Sequence, residues 1–85
     1  MTTQSNPTTV TTELDCTGLL CPLPVYKAAI VLNKLQDGEL LRLVTTDPGA
    51  LEDIPAMARQ RQDELVSVEE TSDSQTFLIR KGTNS

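Results

Sequence analysis

This sequence predicts an α+β fold: a two-layer α/β sandwich with two helices on one face of a four-stranded mixed sheet. Three observations carry the prediction. Segments with apolar residues at every second position alternate with segments that repeat them every third or fourth, in the order βαβαββ. Two helices are too few to cover both faces of a sheet, so one face stays open to solvent. Of the 85 residues, 38% are hydrophobic, with one Tyr, one Phe and no Trp, so a single aliphatic core must close the fold.

Taken in order, residues 1–9 (MTTQSNPTT) are polar and without hydrophobic period. They cannot offset their own ordering entropy and read as a disordered tail, leaving residues 10–82 as one domain. Residues 10–16, rich in Thr and Val, suit a strand that ends at a turn on Gly18. Beyond Cys21, the residues Val25, Ala28, Ala29, Leu32 and Leu35 share one helical face, and Asp37-Gly38 supplies the stop. In residues 39–46, Leu41, Leu43 and Thr45 fall on one side and Leu40, Arg42 and Val44 on the other; apolar residues on both faces mark a central strand. Asp47-Pro48-Gly49 starts a second helix, with Asp47 as N-cap and Pro48 in the first helical position. Leu51, Ile54, Met57 and Ala58 form its apolar stripe, and Pro55 predicts either a kink or a start nearer Ile54. Residues 65–70 and 75–81 are two strands joined by the hairpin connection Thr71-Ser72-Asp73-Ser74.

The net charge of -5, with no basic run longer than Arg80-Lys81, repels phosphate backbones and anionic lipid, so neither nucleic acid nor membrane is an expected partner. No stretch approaches the roughly 18 apolar residues of a membrane span, and the first residues lack the basic and apolar regions of a secretory signal. A cytoplasmic location follows as an expectation, and there thiols stay reduced. With no His, Cys16 and Cys21 cannot complete a four-ligand zinc site unaided, nor can either form a Cys-His nucleophile pair.

The chemistry concentrates in GLLCPLPV, residues 18–25. Cys21 immediately precedes a helix with Pro22 and Pro24 in its first turn. Unpaired amides at a helix start carry about half a positive charge, which predicts a depressed thiol pKa at Cys21. The two prolines fix the backbone without offering N–H groups, leaving Leu23, Val25 and Tyr26 as the expected donors. Locally, a second reading stays open in which Cys21 is a small packed hydrophobe.

The string LDCTGLLCPLPV resembles the signature of the TusA/SirA family of sulfur carriers, with an acidic residue, a Gly-Leu pair and Cys-Pro-x-Pro in order. GELLRLVTTDPGALEDIP resembles that family's second strand and second helix start, and ELVSVEE with FLIRKG its closing hairpin, so the resemblance covers residues 14–82. It implies the same βαβαββ sandwich and makes Cys21 the carrier nucleophile. Cys21 would accept sulfane sulfur as a persulfide from a cysteine desulfurase or rhodanese and pass it to a DsrE-type or other acceptor thiol. Family pathways include tRNA thiolation, sulfur oxidation and molybdenum-cofactor assembly. Leu20 and Leu23 stand where the best-known tRNA-thiolation member carries Arg and Glu, which leaves the partner open. No metal or organic cofactor is implied, and a monomer is expected.

Cys16 reads either as a strand-end thiol or as a resolving thiol that could discharge Cys21 as a disulfide. Asp15 and Gly18 read as supports of the cysteine loop, by accepted backbone bonds and by positive φ. Lys27 is either a solvated lysine or a cation that favours an anionic sulfur. Arg80 and Lys81 are either a basic patch or guards of an edge strand. Two other functions remain open: a dithiol switch using Cys16 and Cys21, and a thiol-independent interaction module.

Overall fold

The computed structural model describes Val10 and residues 12–82; the expected tail, residues 1–9, lies outside the described residues. Its elements are β1 (Thr12–Cys16), α1 (Leu23–Lys34), β2 (Leu40–Thr45), α2 (Ala50–Arg61), β3 (Glu64–Glu70) and β4 (Gln75–Arg80). The sheet order is β1-β2-β4-β3, with β1 parallel to β2 and both pairings of β4 antiparallel. This is the α+β arrangement the hydrophobic pattern predicts, with β2 in the interior of the sheet.

Alternation decides the layers. Leu41 pairs with Ile79 and Leu43 with Phe77 across β2 and β4, so all four project to one face. On that face they meet Ala28 and Leu32 of α1 and Ala50, Ile54 and Met57 of α2 in one buried cluster. Each large aliphatic side chain buried there is worth roughly 1.5–3 kcal/mol. On the opposite face the ion pairs Arg42–Glu13 (3.4 Å) and Arg80–Glu64 (3.0 Å) stand in solvent, where such pairs add little.

The second helix corrects two expectations. It begins at Ala50 and runs through Pro55 to Arg61, so it does not start nearer Ile54. Asp47 is not its N-cap; Gly49 is, with helical φ −59° and ψ −23°. Asp47 instead folds the approach as an Asx turn: its Oδ1 accepts the Gly49 N–H at 3.0 Å, and its carbonyl accepts the Ala50 N–H at 2.9 Å. A mid-helix proline costs about 3 kcal/mol, and the burial of Ile54 and Met57 on the same helix outweighs that.

The last described residues fasten both layers. Lys81 Nζ donates to the carbonyl oxygens of Leu32 (2.9 Å) and Leu35 (3.0 Å) and so closes the C-terminal end of α1. The Gly82 N–H donates to Oδ1 of buried Asp63 at 2.8 Å, while Oδ2 of Asp63 takes Arg61 Nε at 2.7 Å. No helix among the described residues is long and apolar enough to cross a membrane.

Candidate functional site

Parallel pairing of β1 and β2 delivers the chain leaving each strand to the same edge of the sheet. Two loops meet there, residues 17–22 and 46–49. The first turns on Gly18 (φ +82°), where a side chain would be strained. Asp15 Oδ1 accepts the Thr17 N–H at 2.9 Å, and the Leu19 N–H returns to the Cys16 carbonyl at 3.1 Å. The second loop then holds the first: Thr46 Oγ1 accepts the Gly18 N–H and Asp47 Oδ2 accepts the Cys21 N–H, both at 2.8 Å. Beneath them lies the buried pair Thr45 and Gln75. With its amide nitrogen turned toward β2, Gln75 donates to the Thr45 and Asp47 carbonyls at 3.2 Å each and to Thr45 Oγ1 at 2.7 Å.

Cys21 therefore sits half-buried between the loop and α1, followed by a cis peptide bond to Pro22. Pro22 is the N-cap of α1 and Pro24 is buried within its first turn. The expected depression of the thiol pKa is not found; the thiol is pushed up to about 11. Desolvation is the largest cause, followed by a hydrogen bond to the Asp53 carboxylate and the negative charges of Asp47 and Asp53. Two of the three helix-terminus amides that were to oppose this are engaged elsewhere. The Leu23 N–H donates to the Leu20 carbonyl at 2.9 Å, and the Tyr26 N–H to the Pro22 carbonyl at 3.1 Å. Asp47 is held below the usual carboxylate range, first by the Cys21 N–H and then by the Gly49 N–H.

Cys16, by contrast, is fully buried in the core cluster, and burial raises its pKa. Both cysteines are free thiols. The exposed Lys27 exerts its charge on Cys16, whereas the charges that act on Cys21 are the carboxylates of Asp47 and Asp53. Arg80 and Lys81 do not form a basic patch, because Arg80 pairs with Glu64 and Lys81 caps α1. Among the described residues no group of three or more His, Cys, Asp or Glu is placed to hold a metal ion.

Sequence reading assigned Asp47 to a helix cap and passed over Asp53, yet both face the sulfur. The signal that finds Asp47 is topological: in a βαβ unit the residues just past two parallel strands are neighbours, so the position after β2 must lie beside the loop after β1. Asp53 follows from Asp47 by helical geometry once α2 is known to begin at Ala50. Beyond the sulfur, Pro22, Val25, Asp53, Ala56, Met57 and Gln60 line a groove of about 330 Å³ between the helices.

The family model described as "Sulfurtransferase TusA" matches residues 12–81. The chain is 42% identical to the sulfur carrier protein TusA of Allochromatium vinosum, over 81% of this chain and 91% of that protein. It is 36% identical to a putative sulfur carrier protein of Archaeoglobus fulgidus, over 81% of this chain and 90% of that one. A putative sulfur carrier protein of Aquifex aeolicus matches at 37% identity over 80% of this chain, a match that spans only 34% of the longer protein.

Proposed function

We propose, on the premise that this chain belongs to the TusA family, that it carries one sulfur atom as a persulfide on Cys21 between a donor protein and an acceptor thiol. The observation that carries the reading is that the half-buried Cys21, at the meeting of two loops, opens to the surface, while Cys16 is sealed in the core. The donor is a cysteine desulfurase or a rhodanese, and the acceptor a DsrE-type or other protein thiol.

In the loading step the Cys21 thiolate attacks the outer sulfur of a donor persulfide, R–S–SH. A bond forms between the two sulfurs, the donor's own S–S bond breaks, and the donor leaves as R–S⁻ with the transferred sulfur still bearing its proton. Unloading repeats the step with an acceptor thiolate as nucleophile, and Cys21 departs as thiolate. Oxidation levels balance without an external oxidant. The added sulfur stands about 2.05 Å beyond the first. Pro22 and Pro24 fix the direction in which it points.

The test is incubation with a cysteine desulfurase, cysteine and labelled sulfur, followed by non-reducing mass spectrometry. A gain of one sulfur on Cys21, abolished in Cys21→Ser and kept in Cys16→Ala, is the expected result. Sulfur on neither thiol, or loss of loading with Cys16→Ala in a folded protein, overturns it. Burial of Cys16 weighs against the dithiol reading, because a resolving thiol must reach the sulfur it attacks.

A further inference from the structure

An apolar stripe, with the exposed Lys27 at its margin, runs along the outer face of α1. Leu23, Tyr26 and Ile30 stand at helical spacing with 47%, 60% and 55% of their surface exposed, and Leu20, in the loop before Cys21, is 70% exposed. Leu23, Tyr26 and Ile30 lie on the side of α1 opposite its buried Pro24, Ala28 and Leu32. The stripe leads into the Cys21 loop, where Asp47 holds the Cys21 N–H and Asp53 lines the groove beside Pro22; Glu52 precedes Asp53 in α2. Among the described residues none of these three carboxylates has an ion-pair partner, whereas Glu13, Asp63 and Glu64 each have one. An apolar strip ending in unpaired negative charge calls for a surface of the same shape and opposite sign.

Building on the carrier reading, we infer that Leu20, Leu23, Tyr26 and Ile30 seat a sulfur-donating protein which presents an Arg or Lys among apolar side chains, and that pairing of this cation with Asp53 and Asp47 makes Cys21 reactive. Before docking, Asp47 Oδ2 holds the Cys21 N–H at 2.8 Å and Asp53 lines the groove beside Pro22, so both carboxylates oppose ionisation of the thiol. Docking places a cation against them and cancels that repulsion; the thiol proton leaves to solvent, and the thiolate attacks the donor persulfide as above. Asp53 is thus a positioning residue for the partner and a restraint on the sulfur. No other charged group offsets the pair, since Lys27 and Asp15 act on Cys16. The arrangement keeps the free carrier from reacting with stray disulfides.

The experiment compares two reactions of the full chain: attack on dithiodipyridine, a small neutral disulfide that needs no docking, and loading from a cysteine desulfurase supplied with cysteine. Asp53→Asn should lower the pH at which the small-molecule rate levels off, and speed that reaction at neutral pH by about threefold for each unit of the shift. The same variant should load from the enzyme several-fold more slowly, because the docking charge is gone. Leu23→Ser with Tyr26→Ser should also slow enzymatic loading, by a larger factor than it changes the small-molecule rate. Opposite responses of the two reactions to Asp53→Asn are the signature, since a purely structural role moves both the same way. An unchanged dithiodipyridine profile, or enzymatic loading as fast as in the parent, overturns the inference while the carrier reading stands. If the parent itself gains no sulfur on Cys21, the carrier reading fails and this inference falls with it.

Discussion

Raising the pH across the range in which Cys21 ionises tests the electrostatics of the site directly. A thiol moved from 9.0 to about 11 holds about a hundredfold less thiolate at neutral pH than an unperturbed one, since each unit is tenfold. The rate falls by less, because thiolate nucleophilicity rises with pKa with a slope of about 0.4–0.5, returning roughly a factor of eight over two units. The folded protein should therefore react with dithiodipyridine at neutral pH only about tenfold more slowly than the urea-unfolded chain. The sharper readout is the shape of the profile. The folded rate should keep climbing through pH 9 and level off near 11, while the unfolded chain levels off near the ordinary thiol value of 9.0. Release of thiopyridone followed by absorbance gives the rates, and peptide mapping confirms attachment at Cys21. A folded-state plateau at or below about 8.5 would restore the helix-terminus argument and refute the account in which desolvation, with Asp53 and Asp47 behind it, raises the thiol pKa.

Other substitutions probe the scaffold. Gly82→Ala would drive a Cβ into the Gln62 carbonyl oxygen, so the backbone must shift; a loss of about 1–3 kcal/mol, read as a lowered melting temperature, is expected. Lys81→Met leaves the Leu32 and Leu35 carbonyls without their donor and should cost about 1–2 kcal/mol in urea unfolding. Asp47 and Asp15 are both held below the ordinary carboxyl value of 3.8 by accepted backbone bonds. Groups with a depressed folded pKa stabilise the fold above the unfolded value and lose that effect as pH falls through the folded one. Stability should thus decline with acidification below about 3.8, and Asp47→Ala should flatten that part of a pH–stability curve; an unchanged slope would count against it.

Much of the architecture was legible because this chain obeys its periods closely. Leu41, Leu43 and Thr45 alternate cleanly, and the apolar spacing from Val25 to Leu35 admits no other element. What sequence could not supply was competition among local groups. Pro55 looked like a helix boundary because propensity ignores the packing of Ile54 and Met57. Lys81 looked like a surface cation because nothing local indicates that β4 ends beside the C-terminus of α1. At the site, Cys21 was found from its motif, but its electrostatic character was read with the wrong sign. A helix terminus stabilises an anion only through amides that are free, and here Leu23 and Tyr26 donate to carbonyls while Asp47 takes the amide of Cys21 itself. Whether an amide is free depends on the neighbouring loop, and that loop lies 26 residues away in sequence.

The strand order β1-β2-β4-β3 also dictates when this fold can come into being. The final strand fills an interior slot, and β3, made just before it, has no other neighbour to bond with. Until residues 75–80 have left the ribosome, β2 exposes one full edge and the nascent protein has no way to complete its sheet. Closure of the sheet during synthesis therefore waits on residues 75–80, and products that stop short of them keep unpaired backbone along one edge of β2.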